Sequence, residues 1–357
     1  MPPHLILQAL RQPDAMVSLN LADWDMLLRQ ARRANLLSTI RVLLEERGLL
    51  EQVPPQPREH LEWSRALSER HAQAVRREVT LIRKALAQTG VPVILLKGAA
   101  YVMAQLPHAQ GRVFSDIDII VPKVSLNEVE AALMLHGWAT TDLDAYDQRY
   151  YREWMHELPP MQHIHRLTVI DVHHAILPET ARIHPDPEKL LTAAQALDGY
   201  DDLMVFAPVD MVLHSVTHLM HEGELHNGLR DLVDIDSLLR HFSSRPLFWS
   251  SLIQRAKELE LTRPLFYALR YAEQILHTPV PADIMEAARI GCPSRLALPL
   301  MDMLFLRALM PDHPSCSDRL SGTARWMLYI RANWLRMPPM LLARHLFHKA
   351  FITPKAE

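Results

Sequence analysis

Val113-Phe114-Ser115-Asp116-Ile117-Asp118-Ile119-Ile120-Val121 is a run of β-branched and apolar residues that reads as a β-strand, and Pro122 stops it. Side chains alternate faces along a strand, so Asp116 and Asp118 point the same way, with Cα atoms about 6–7 Å apart. The apolar residues around them cannot all share one buried face, so the strand is expected to be covered on both sides over part of its length. Two carboxylates on one face repel each other, and burial raises at least one pKa. A divalent cation relieves both costs. Mg²⁺ prefers oxygen and is usually held by one or two carboxylates together with substrate phosphates. The alternative is a strand end whose aspartates face water, as most charged side chains do.

Upstream, Val91-Pro92-Val93-Ile94-Leu95-Leu96 has the length of a strand, and Lys97-Gly98-Ala99-Ala100 can start a helix. A helix N-terminus offers free N–H groups to an anion, Gly98 lets backbone come close to a ligand, and Lys97 adds a positive charge. Gly after a strand is also ordinary turn chemistry. Arg112, just before the carboxylate strand, suits bidentate phosphate contacts, or is an exposed loop residue. Downstream, Leu167-Thr168-Val169-Ile170-Asp171-Val172-His173 reads as a further strand with one acid in an apolar setting. Such an acid needs a partner or a metal, so Asp171 can join Asp116 and Asp118.

Leu96-Lys97-Gly98, Arg112, Ser115-Asp116-Ile117-Asp118 and Ile170-Asp171-Val172-His173, in this order, resemble the nucleotidyltransferase superfamily of the DNA polymerase β type. The pattern is more similar to the bacterial "uncharacterised nucleotidyltransferase" family. The wider superfamily has Gly-Gly or Gly-Ser where this chain has Lys97-Gly98, and a shorter gap to the two acids. The resemblance implies a small mixed β-sheet core of α+β class, embedded in a mostly helical protein. It also implies Asp116, Asp118 and Asp171 as catalytic and Mg²⁺-holding residues, and Lys97, Gly98, Arg112 and Ser115 around an NTP such as ATP.

The chain has 357 residues, 49% hydrophobic and 22% charged, which describes an ordinary globular protein of about two domains. A net charge of −3 gives no broad nucleic-acid footprint. Two cysteines, Cys292 and Cys316, and no recognisable leader lead us to expect a cytoplasmic protein. No apolar run reaches membrane-spanning length, so no membrane insertion is expected. Ten glycines in a Leu-, Ala- and Arg-rich chain favour helix.

Residues 1–88 read as a helical region, with Asn20 capping a helix that carries Leu21, Trp24, Leu27, Leu28 and Ala31. A long helix over 58–88 carries Leu61, Leu67, Val75, Leu81, Ile82 and Leu86, and Gly90 closes it. Residues 89–177 read as the α/β core. In it Ser125 and Glu128 form a capping box, and 161–176 is a hairpin or one long strand, with His163 and His165 on one strand face. Residues 178–357 read as helical, including a basic tail with Arg344, His345, His348 and Lys349. Pro208 opens a helix whose His214, His218 and His221 share a face. Arg230 and Asp234 are spaced as an ordinary helix-surface ion pair, with a cleft-facing role as the alternative.

These readings converge on an enzyme that moves a nucleotidyl group from Mg-NTP to an acceptor, which is a small molecule, sugar or protein. Asp171 completes a second metal position or acts as base. Phosphoryl transfer at the same metal site is one alternative. An inactive transferase-like scaffold is the other.

Overall fold

The computed structural model describes residues 4–141, 145–221, 223–338, 340 and 342. The fold is α+β, with one seven-stranded mixed sheet set among helices. Four helices lead the chain: α1 (Leu5–Arg11), α2 (Leu21–Arg33), α3 (Leu37–Glu46) and α4 (Pro55–Leu86). Asn20 caps α2 as expected, its Oδ1 accepting from the Asp23 N–H at 2.9 Å. Trp24, Leu27 and Ala31 are buried beneath it. In α4, Leu61, Val75, Ile82 and Leu86 face the core, whereas Leu67 is 59% exposed beside an exposed Trp63. Gly90 takes φ +68° after this helix, a conformation that costs glycine nothing.

The sheet has the order β3-β4-β5-β2-β1-β7-β6. Its strands are β1 (Val93–Leu95), β2 (Asp116–Ile120), β3 (Trp138–Thr140), β4 (Met161–His163), β5 (Val169–His173), β6 (Gln195–Ala196) and β7 (Leu203–Val205). β1 and β2 run antiparallel, while β2–β5 and β1–β7 are parallel. Ile117, Ile119 and Ile120 are all buried, so the carboxylate strand is covered on both faces. It begins only at Asp116, because residues 113–115 enter it as irregular chain. β4 and β5 form the expected hairpin, but β4 ends at His163, and His165 lies in the turn rather than on the strand face. The sheet also takes β6 and β7 from beyond the residue-177 boundary read from the sequence.

Between the strands run α5 (Lys97–Met103), α6 (Leu126–Leu135), α7 (Ala145–Trp154) and α8 (Pro187–Thr192). The capping box at α6 does not form: Ser125 precedes the helix but its side chain makes no cap bond, and a 3-10 turn over Lys123–Ser125 leads in instead. Asp186 does cap α8, accepting from the Glu188 N–H. The remaining helices are α9 (Pro208–His221), α10 (Gly228–Phe242), α11 (Phe248–Glu258), α12 (Thr262–Leu276), α13 (Ala282–Ala288), α14 (Ala297–Ala308) and α15 (Ser321–Arg336). α9 packs on α10, α11 and α12, and its N-terminus follows directly from β7. Pro264 sits in the first turn of α12, where its missing N–H costs little. The basic tail from Arg344 lies outside the described residues.

Candidate active site

The register of the sheet assembles the site. In the parallel β2–β5 pair Asp118 lies opposite Asp171 and Asp116 opposite Val169. Partners in register point to the same face, so Asp116, Asp118, Asp171 and His173 share one side of two adjacent strands. The three carboxylates place a ligand oxygen each within 4.8 Å of one another. Asp171 Oδ1 is buried without a hydrogen-bond partner. An orphaned carboxylate oxygen beside two other carboxylates is the donor set that a hard divalent cation takes.

Lys97 starts α5 just past the end of β1, which the Leu96 N–H ties to the Asp118 carbonyl at 3.0 Å. Its φ is +43°, the left-handed region that favours glycine. That strained backbone lets its Nζ reach Asp118 Oδ1 at 3.0 Å. The same oxygen accepts from His173 Nε2 at 2.9 Å, and His173 Nδ1 faces Glu157 Oε2 at 3.1 Å. A Glu157–His173–Asp118–Lys97 chain of contacts therefore runs along the carboxylate face.

Electrostatics separate the two facing aspartates. Burial alone would raise the Asp118 pKa, but the Lys97 ammonium and the His173 hydrogen bond outweigh it and hold Asp118 well below the usual carboxylate range. Asp171 lacks such partners. Burial, then the charges of Asp118 and Glu157, push its carboxyl up to about 8. Burial would lower the His173 and Lys97 pKa values too, yet the facing carboxylates raise both.

A cleft of ≈ 180 Å³ opens over these residues. Lys97, Gly98, Arg112, Ser115, Asp116 and Asp118 all line it, while Asp171 belongs to the carboxylate group beneath. Ser115 Oγ donates to Asp116 Oδ1 at 3.1 Å. At Gly98 a Cβ would come within 2.6 Å of the Phe114 ring, so this glycine lets α5 pack against the cleft wall. Arg112 is not a free loop cation. Its Nε donates to Asp234 Oδ2 at 2.5 Å, with both side chains buried. Its Nη1 is buried with no hydrogen-bond partner among the described residues.

That contact corrects the helix-surface pairing of Arg230 with Asp234. Arg230 bonds Asp231 instead, at 2.9 Å, and Asp234 turns inward to Arg112 across 122 residues of sequence. His218 lines the cleft, while His214 packs against the Phe206 ring. Burial followed by the Lys97 charge pushes His214 down to about 3 and lowers His218 well below its ordinary value. Sequence reasoning missed Glu157, Asn227 and Asp231. Glu157 had no signal because it reaches His173 through an isolated bridge outside the strands. A second group, His156, Glu157 and His173, also gathers three ligand atoms within 4.8 Å.

Residues 20–277 match the family described as uncharacterised nucleotidyltransferase. Neither the curated proteins nor the solved structures give a significant match.

Proposed function

The chain belongs to the uncharacterised nucleotidyltransferase family, and we propose that it moves a nucleotidyl group from an NTP to an acceptor hydroxyl or similar group at the Asp116–Asp118–Asp171 face. The observation that carries this reading is the β2–β5 register, with the three carboxylates within 4.8 Å of one another under a cleft that Lys97 and Arg112 also line.

Asp116, Asp118 and Asp171 would hold Mg²⁺, which would supply positive charge against the reacting phosphates. The start of α5 at Lys97-Gly98 faces the triphosphate. The unpaired Nη1 of Arg112 offers one further N–H to a phosphate oxygen. The acceptor oxygen bonds to the α-phosphorus, the bond to the bridging oxygen breaks, and pyrophosphate leaves. Asp171 completes the metal position or, where it stays off the metal, takes the acceptor proton. His173 and Lys97 keep Asp118 ionised and fixed in orientation.

The test is to incubate the protein with Mg²⁺, a panel of acceptors and NTPs labelled at the α- or γ-phosphorus. Transfer of the α-label with release of pyrophosphate is expected. Transfer of the γ-label, leaving a nucleoside diphosphate, would replace nucleotidyl with phosphoryl transfer.

A further inference from the structure

The cleft over the carboxylates measures only ≈ 180 Å³. Ligand pockets run to about 300–1,000 Å³, so nucleotide and acceptor together need more space. A larger groove of ≈ 620 Å³ lies beside it, between the α2–α3 turn and α4. The two share a wall. Gly111 and Val113 line the groove, whereas Arg112 and Phe114, alternating with them along the chain, line the cleft. Asn35 of the groove also donates from Nδ2 to Oδ1 of Asn227 in the cleft, at 2.7 Å.

The groove is built rather than incidental. Ser38 Oγ donates to the Ser64 carbonyl at 3.1 Å and ties α3 to α4 beneath it. At Gly111 a Cβ would meet the Thr39 backbone N at 2.8 Å, so the floor sits hard against the start of α3. Its walls present Trp63 and Leu67, 73% and 59% exposed on a helix whose opposite face is core. Its charge is of one sign: Arg32 and Arg70 line it, and among the described residues no carboxylate does. Arg32 Nη2 lies 3.0 Å from His60 Nδ1, and among the described residues Arg70 has no carboxylate partner.

We propose that this groove is the acceptor subsite, and that the acceptor is a small molecule with an aromatic or alkyl body and an anionic group. The body lies against Trp63, Leu67 and Val113, and the anion meets Arg70 and Arg32. A neutral nucleobase would leave those cations unmatched. The proposal rests on the nucleotidyl-transfer reading, because the groove matters to that reaction only as the space that adjoins the cleft along residues 111–114.

The probe is 8-anilino-1-naphthalenesulfonate, an aromatic anion, titrated by fluorescence into wild type, Trp63→Ala and Arg70→Glu. Trp326→Ala, which alters another exposed apolar side chain, is the control. We expect affinity to fall tenfold or more in the two groove variants and to hold in the control. Bound probe should also slow pyrophosphate release from Mg-ATP with water as acceptor in wild type, and fail to do so in Trp63→Ala. Equal probe affinity in all four proteins, or a loss confined to Trp326→Ala, would overturn the proposal. Probe binding that leaves pyrophosphate release unchanged would overturn the acceptor role. A wild type that releases no pyrophosphate at all, and shows no Mg-dependent nucleotide binding, would instead remove the transfer reading, whatever the probe does.

Discussion

Asp171 is where the chemistry and the titration meet. Its carboxyl is pushed up to about 8, so the folded chain holds this proton more tightly than the unfolded chain, whose carboxyl titrates near ~3.9. Between those values the folded state binds more protons, and metal-free stability falls as pH rises towards about 8. The Asp171→Asn protein should lose that slope, which denaturant unfolding at stepped pH would show. Metal binding must expel the same proton, so Mg²⁺ affinity should climb from pH 6 to 8 and level off above. Calorimetric titration that finds the affinity flat over that range would remove Asp171 from the ligand set. Gly98 makes a second, steric prediction. Gly98→Ala drives a methyl into the Phe114 ring and should cost about 1–3 kcal/mol in denaturant unfolding, with weakened nucleotide binding. The Asp-x-Asp pair, Lys97-Gly98 and Asp171 were legible because strand alternation and turn chemistry are local. That Lys97 occupies a left-handed position, and so swings its ammonium onto Asp118, is a tertiary fact that no local pattern encodes.

Among the elements, α10 carries the clearest energetic claim. Asp234 and Arg112 are both buried and bonded to each other, so Asp234→Ala leaves a buried guanidinium with only Asp231, 3.9 Å away, to offset it, and should cost about 3–5 kcal/mol. Arg230→Ala should cost far less, because Arg230 pairs with Asp231, its chain neighbour. Had Arg230 and Asp234 been partners on the helix surface, the two substitutions would cost alike, and denaturant melts of both variants tell these cases apart. Helical spacing permitted that pair. The longer-range contact won because α10 packs beside the turn that delivers Arg112. Caps were easier to read. Asn20 performs as its position suggests, and Asn20→Ala should lower stability by about 1 kcal/mol. Ser125 does not, because the chain tightens into a 3-10 turn before α6 and takes Ser125 out of the extended cap geometry.

Across the whole molecule, a helical protein holds a small sheet whose central strands come from distant parts of the chain. β1 pairs in parallel with β7 more than a hundred residues later, and this carries the chain straight into α9 and the cleft wall. Such pairing leaves no mark in local sequence, which is why the core read from 89–177 omitted β6 and β7. A metal-dependent nucleotide site on the carboxylate face is best tested at Asp116. Asp118 is bonded to Lys97 and His173, so its substitution confounds folding with function, whereas Asp116 bonds only its neighbour Ser115 among the described residues. The measurement is thermal unfolding of wild type and Asp116→Asn against the four NTPs, with and without Mg²⁺. A nucleotide at 100 times its Kd adds about 2.7 kcal/mol, enough to move the melting temperature visibly. We expect a Mg-dependent rise in wild type that Asp116→Asn loses while its unliganded melting temperature stays close to wild type. A rise of equal size in both proteins, or none with any nucleotide in wild type, would contradict it.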